Sequence, residues 1–237
     1  MELRSDLTED GVLTLTLDDG DKNALRPETF DQLVNELDHA SEDVRAIVLA
    51  GNGEVFTAGL DVKWMKGATR NDVGEMLVGL GRCLMRLWGE PRPTVAACTG
   101  HSVAAGTMLA MACDHAVAAA GPFRWGLMET RIAFEMPRFG IELARANVAA
   151  HKVDDLILPG AVLSPIEAAE VGYTDEVLPI EDVVTAAQRK AHALAELPSH
   201  TYAGTKRRLR QDTIDAVLEG IEDDIAAVMA TGPIPPR

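Results

Sequence analysis

Basic residues are scarce in this chain of 237 residues: 22 lysines and arginines stand against 37 aspartates and glutamates, for a formal net charge of −15. Nucleic-acid binding depends on neutralising phosphates with basic side chains, so a general DNA- or RNA-binding function is not expected. The acidic excess favours solubility and still allows a local basic site for an anionic small molecule.

Cysteines and long apolar runs are also few. Cys83, Cys98 and Cys113 form no C-x-x-C pair and lie in apolar stretches, so we expect buried free thiols in a reducing compartment. The longest nearly apolar run, 103–113, is too short to cross a bilayer and predicts a buried helix. The first residues lack a secretory signal pattern. We therefore expect a cytoplasmic protein with no membrane partner.

Aromatic residues make up 4% of the chain, whereas hydrophobic residues make up 47%. The core must therefore be filled mainly by alanine, valine and leucine, with glycine allowing close packing. The 6 histidines are scattered without the spacing of metal ligands, so no metal site is predicted.

Strand and helix patterns alternate along most of the chain, which predicts an α/β fold with parallel strands. Strands are predicted at 12–17, 44–49, 94–98, 115–119 and 177–178. Helices are predicted at 27–37, 76–87, 103–112, 141–150, 165–171, 183–197 and 213–229. The last helix carries an apolar stripe, which either packs on its own domain or forms a subunit interface. An irregular end is predicted for 232–236.

Two turns rich in small residues follow predicted strands and lead towards helices. They span 56–61 (Phe-Thr-Ala-Gly-Leu-Asp) and 100–106 (Gly-His-Ser-Val-Ala-Ala-Gly). Small side chains let a ligand approach the backbone, and free amide N–H groups at such turns can stabilise a developing oxyanion. One donor from each turn would form an oxyanion hole.

Five segments, in this order, resemble those of the crotonase, or enoyl-CoA hydratase/isomerase, superfamily. They are the N-A-L segment at 21–25, the strand segment 44–51, the A-G-x-D turn at 56–61, the glycine-rich segment at 100–114 and the block at 168–177. The resemblance implies an α/β fold, the crotonase (ClpP-like) spiral of ββα units. It implies a core with an acyl-CoA site at 1–180 and a helical oligomerisation region at 181–237.

The resemblance also implies a coenzyme A thioester as ligand, no separate cofactor, and homotrimers or dimers of trimers. The chemistry shared by the superfamily is stabilisation of a thioester enolate by two backbone amides, and the resemblance assigns these amides to Leu60 and Ala105. Because Ala104 and Ala105 replace glycines found in many relatives, we expect the second turn to be reachable with ordinary dihedral angles. The candidate residues for binding coenzyme A or the acyl chain are Lys22, Ala58, Asp61, Lys63, Gly106 and Met108.

Carboxylates decide which reaction such a site can perform. The first glutamate of the family's hydratases corresponds to Met108, which cannot carry a proton, and the second corresponds to Glu129 in Gly-Leu-Met-Glu. One carboxylate can move a proton between two carbons, so double-bond isomerisation is favoured over hydration. An apolar setting would raise the pKa of Glu129, whereas Arg131 and Arg138 could neutralise either Glu129 or Glu135. Glu135 either faces solvent or acts as an auxiliary acid.

Other interpretations remain open. A weak or true 2-enoyl-CoA hydratase and a non-catalytic acyl-CoA-binding protein both fit the resemblance. A serine hydrolase is a more remote alternative, because 100–104 imitates a nucleophile elbow around Ser102, with Asp154 and His192 downstream. The basic cluster that begins at Lys206 is interpreted as a solvated helix face.

Overall fold

A computed structural model describes residues 2–231, with the backbone alone at residue 2, and the predicted irregular end at 232–236 lies outside this range. The strands are β1 Glu2–Leu7, β2 Val12–Asp18, β3 Ala46–Ala50, β4 Val55–Thr57, β5 Thr94–Cys98, β6 His101–Val103, β7 His115–Ala119, β8 Trp125–Gly126 and β9 Glu176–Leu178. The α-helices are α1 Pro27–His39, α2 Val62–Gly67, α3 Arg70–Trp88, α4 Ala105–Ala112, α5 Arg138–Asn147, α6 Val153–Ile157, α7 Pro165–Val171, α8 Ile180–Ala195, α9 Ser199–Glu219 and α10 Ile221–Thr231. Short 3-10 helices span Glu129–Ile132 and Ala150–Lys152.

The strands form a large sheet in the order β1-β2-β3-β5-β7-β9 and a small sheet in the order β4-β6-β8. Among the pairs of strands in the described residues, β1 with β2 is antiparallel and the others are parallel. The pairs β3/β4, β5/β6 and β7/β8 each place their first strand in the large sheet and their second in the small one, before the chain enters a helix. This repeat is the predicted spiral of ββα units.

The central strands are apolar on both faces because helices cover both sides of the large sheet. All residues of β3 and β5 are buried, as expected for parallel strands between two helical layers. Helix α8 packs on one face against β3, β5 and β7 through small side chains such as Ala187 and Ala191. The main core, with α1, α3 and α4, lies on the other face.

The C-terminal helices differ from the sequence prediction. The prediction of one helix over 213–229 is wrong, because the chain breaks at Gly220 between α9 and α10. The stripe residues Ile214 and Val217 on α9, and Ile221 and Ile225 on α10, are buried, and both helices pack against α3. Contacts within the same chain therefore account for the burial of these side chains.

Two other expectations have clear outcomes. The prediction of buried free thiols is confirmed for all three cysteines. The solvated-face interpretation is wrong for Lys206, which is buried and donates to Asp114, while Arg210 pairs with the same carboxylate. Among residues 2–231, no helix is long and apolar enough to cross a membrane, and no cluster of potential metal ligands is found.

Candidate active site

A cavity of about 390 Å³ lies between the two predicted turns, the helices α2 and α3, and the 3-10 helix that begins at Glu129. Its lining is largely aliphatic or aromatic, and the charged residues that line it in the described structure are Lys66 and Glu129. The apolar side chains come from Val62, Met65, Val73, Leu77, Leu80, Val103, Met108, Met128, Ile132, Phe134, Phe139 and Met229. Such a cavity favours a ligand with an apolar chain that makes few polar contacts.

The first turn is held by the segment at 21–25. Thr57 Oγ1 donates to the Asn23 carbonyl at 2.6 Å, and the Ala58 amide donates to the Lys22 carbonyl at 3.0 Å. Gly59 adopts φ +83°, a conformation that favours glycine. The Leu60 amide donates no hydrogen bond within residues 2–231, so it is available to a ligand.

Asp61 ends this turn as the N-cap of α2. Its Oδ1 accepts from the Lys63 and Trp64 amides at 2.8 and 3.0 Å, and its Oδ2 lies 2.6 Å from the Arg26 guanidinium. The Trp64 amide first, and then Arg26, hold the pKa of Asp61 below its usual value. Asp61 is thus placed to fix the turn and does not line the cavity.

The second turn contains a strained residue. Ala104, the N-cap of α4, has φ 51° and ψ −118°, so the expectation of ordinary dihedral angles is wrong at this position. The conformation is held by neighbours: the Ala104 amide donates to the Gly126 carbonyl at 2.8 Å, and Thr107 Oγ1 donates to the Ser102 carbonyl at 2.7 Å. Strain of this kind persists where surrounding structure over-determines it, often at functional sites.

The two turns lie against each other. A Cβ atom built on Gly59 would lie 3.1 Å from the Val103 carbonyl oxygen and 3.7 Å from the Ala105 nitrogen. The Ala105 amide, like that of Leu60, donates to no acceptor in the described part of the chain. Gly106 permits the close approach of α4 to β4, because a Cβ there would lie 2.8 Å from the Thr57 carbonyl oxygen.

Glu129 lines the cavity and is only 8% exposed. Its Oε2 atom is enclosed and has no hydrogen-bond partner within residues 2–231. Burial raises the pKa of Glu129 to about 7. The sequence-based alternative that arginines neutralise it is wrong: Arg131 donates to the Pro159 and Gly160 carbonyls, and Arg138 donates to the Ala216 carbonyl.

The remaining candidate residues separate into two groups. Ala58 and Met108 line the cavity, and Met108 is buried. Lys22, Lys63 and Glu135 are exposed and do not line it. For Glu135 the structure therefore supports the solvent-facing alternative and contradicts the auxiliary acid.

Sequence reasoning missed many of the lining residues, among them Lys66 and Met229. Lys66 follows the first turn by one helical turn of α2, so its proximity to that turn was a usable signal. Met229 reaches the cavity from α10, and nothing in the local sequence indicates this contact.

The serine hydrolase alternative is contradicted by the position of its nucleophile. Ser102 is fully buried in β6 and its Oγ has no hydrogen-bond partner in the described chain. His192 lies beside Asp10, 2.8 Å away. His192 is therefore not in place to activate Ser102, and the cavity does not include Ser102.

This fold and site define a class: α/β spirals in which two tight turns and a buried carboxylate surround an apolar cavity. The profile of the enoyl-CoA hydratase/isomerase family matches residues 7–232, and the chain belongs to that family. Its relatives are hydratases and isomerases, and this protein is an enzyme of the same family.

Three relatives illustrate the similarity. A putative enoyl-CoA hydratase from Thermus thermophilus is 34% identical over 208 residues, covering 85% of this chain and 79% of that protein. Mouse mitochondrial enoyl-CoA delta isomerase 1 is 29% identical, covering 91% of this chain and 76% of that protein. A solved enoyl-CoA isomerase of Mycobacterium tuberculosis superposes with a TM-score of 0.87 at 32% identity, covering 95% of this chain and 97% of that chain. The predicted crotonase fold is confirmed.

Proposed function

We propose that this protein isomerises the double bond of enoyl-CoA thioesters, with Glu129 as the single proton carrier. The observation that carries the proposal is one buried carboxylate in a largely apolar cavity, with Met108 at the position that the resemblance assigns to the first glutamate of the hydratases. A pKa of about 7 suits a group that must accept a proton and then release it.

In the proposed reaction, the ionised Glu129 removes a proton from C2 of a 3-enoyl thioester. The electron pair of that C–H bond moves into the thioester and the adjacent double bond, giving a dienolate. The protonated Glu129 then returns the proton to C4, which places the double bond between C2 and C3. The atoms balance within the substrate, so the proposal requires no separate cofactor.

The proposed oxyanion hole consists of the Leu60 and Ala105 amides. Support comes from the contact between the two turns and from the lack of other acceptors for either amide among residues 2–231. Ala105 is also the first residue of α4, where the helix N-terminus favours negative charge. The loss of one such donor typically costs about 10²–10³-fold in rate.

For coenzyme A we propose a path from the cavity mouth past Lys66, with Lys22 and Lys63 available to its phosphates. Lys66 lines the cavity, and the other two lysines are exposed near the first turn. Ala58 and Gly106 would allow close approach of the thioester. Point-charge contacts of this type contribute mainly to binding.

The test is Glu129→Gln, which keeps the shape of the side chain and removes its proton affinity. We expect turnover of 3-enoyl-CoA to fall at least about 10³-fold, within the range for acid–base groups, while acyl-CoA binding changes little. Glu135→Gln is the matched control, because this exposed glutamate lies outside the cavity. Full activity in Glu129→Gln would refute the proposal.

A true or weak 2-enoyl-CoA hydratase is the second candidate, favoured by the name of the Thermus thermophilus relative. Parallel assays with 2-enoyl- and 3-enoyl-CoA panels separate the two reactions. Binding without any exchange of α- or γ-protons in deuterated water would instead identify a non-catalytic binder.

We also propose homotrimers or dimers of trimers in the cytoplasm, as the resemblance implies. Leu158, Ile166 and Leu209 are exposed aliphatic side chains that contact between copies could cover. Measurement of the molecular mass in solution distinguishes a monomer from these assemblies.

A further inference from the structure

The position of the Glu129 carboxylate depends on the backbone that carries it. Its Oε2 atom has no hydrogen-bond partner within residues 2–231. Two other buried polar groups, Trp125 Nε1 and the Tyr173 hydroxyl, also lack a partner in that range, so neither holds the carboxylate. The contacts that fix the 3-10 helix beginning at Glu129 therefore also fix the proton carrier.

The segment 125–132, which contains Glu129, lies alongside the segment 157–163, which joins the end of α6 to α7. The two segments are paired at one end, where Trp125 and Leu163 exchange two backbone hydrogen bonds of 2.9 Å. This pairing secures the chain before it reaches Glu129.

Side chains of the 3-10 helix make the contacts beyond Glu129. Thr130 Oγ1 donates to the Ile157 carbonyl at 3.2 Å. The Arg131 Nε–H group donates to the Gly160 carbonyl at 2.6 Å and lies 3.2 Å from the Pro159 carbonyl oxygen. Hydrogen bonds from a charged donor are stronger than those from a neutral hydroxyl, so Arg131 makes the main contact at this end.

The backbone at Gly160 is shaped to receive Arg131. Gly160 has φ +58°, and a Cβ atom there would lie 3.0 Å from Arg131 Cγ and 3.4 Å from Met128 Cα. The absence of a side chain thus lets the aliphatic stem of Arg131 pack against the turn. Arg131 is exposed, and its hydrogen bonds go to carbonyls, so an N–H group at Nε is required there and a positive charge is not.

We propose that Arg131 is a positioning residue: its bonds to the Gly160 and Pro159 carbonyls hold the 3-10 helix where the Glu129 carboxylate reaches both reacting carbons. In the proposed reaction one carboxylate serves C2 and then C4, so its placement matters for both steps. A displacement of about 1 Å can cost about 10²-fold in rate. This inference rests on the proposed role of Glu129.

The test compares Arg131→Met with Arg131→Gln. Methionine has a similar length without a donor, whereas the amide nitrogen of glutamine stands at the same place along the side chain as Nε of arginine. We expect kcat for 3-enoyl-CoA to fall about 10–10²-fold in Arg131→Met, with little change in KM or in acyl-CoA binding. Arg131→Gln should retain most of the native kcat.

The titration of Glu129 gives a second readout that does not depend on turnover. In ¹³C-glutamate-labelled protein without substrate, the Glu129 carboxyl signal is assigned by its absence in Glu129→Gln. Burial raises the pKa of Glu129 to about 7, and a loosened helix would admit water to the carboxylate. The measured pKa should therefore fall towards 4.5 in Arg131→Met and stay near the native value in Arg131→Gln.

Arg145→Met is the matched control, because this exposed arginine of α5 donates to Glu142 at 3.2 Å and lies outside the cavity. It should change neither kcat nor the Glu129 titration. Thr130→Val removes the companion bond to Ile157 and should act in the same direction as Arg131→Met, so the test does not depend on the folding of one variant.

A native kcat and a native Glu129 titration in Arg131→Met would overturn the inference. Equal losses of kcat in Arg131→Met and Arg131→Gln would also overturn it, because the hydrogen bond would then not be the cause. Activity retained in Glu129→Gln would refute the proposed function instead, and the carboxyl titration would still decide whether Arg131 fixes the surroundings of Glu129.

Discussion

Glu129 should destabilise the folded protein at the pH where it works. Its pKa rises from 4.5 to about 7 on folding, so the folded state binds a proton more tightly than the unfolded state does. Folding stability therefore falls as the pH rises through this window and stays lower above it. A shift of this size corresponds to about 3 kcal/mol at full ionisation.

Glu129→Gln removes this dependence, because glutamine does not titrate. The free energy of unfolding of the variant, relative to the native protein, should increase by about 2 kcal/mol between about pH 5.5 and about pH 8.5. The contributions of other titrating groups to the pH dependence cancel in the difference between the variant and the native protein. Denaturant titrations at several pH values measure it directly, and thermal scans should show the Tm difference growing by about 4–8 °C.

Glu135→Gln provides the comparison, since Glu135 is exposed and lies outside the cavity. A flat difference for Glu129→Gln would refute the reasoning, because it would mean that the carboxylate is solvated or paired in the folded state. A difference that grows as the pH falls would show a depressed pKa.

Three further predictions follow from the turns and the cavity. Ala104→Gly should raise the free energy of unfolding by about 1 kcal/mol, because relief of the positive φ outweighs the entropy cost of glycine. The control Ala110→Gly, inside α4, should lower it. A lower Tm for Ala104→Gly would contradict the strain assigned to Ala104. Asp61→Ala should lower the free energy of unfolding by about 1–2 kcal/mol through loss of the N-cap, whereas Asp61→Asn should retain most of the stability. Equal denaturation midpoints for the two variants would argue against capping by Asp61. Met108→Glu should introduce measurable hydration of 2-enoyl-CoA that Met108→Gln lacks, and absence of hydration in both would show that a second carboxylate at this position is insufficient.

Local signals were enough for several elements. The bounds of β5 and β7 agree with the predicted strands, because continuous apolar runs bounded by turn residues are typical of buried parallel strands. Helix α7 begins at the predicted capping box of Ser164 and ends at Gly172. In each case the determining interactions lie within a few residues of one another.

The small sheet could not be predicted in this way. Strands β4, β6 and β8 have only two or three residues, too few to show a period of two. Val103, predicted to begin a helix, instead ends β6 because pairing with β8 competes with helix formation. The positive φ of Ala104 likewise depends on a hydrogen bond to Gly126, twenty-two residues along the chain.

By itself, the sequence determined the α/β class, the two turns beside β4 and β6, and the choice of Glu129 over Met108 as a possible proton carrier. The α/β class and the turns depend on residue type and short-range spacing, whereas the choice of Glu129 follows from the resemblance to the family. Only the tertiary structure decided that Glu135 is exposed and that, within residues 2–231, Glu129 is buried without a paired cation and Tyr173 is enclosed without a partner. Desolvation and charge pairing depend on atoms brought together from distant segments, and no local pattern records how those segments pack.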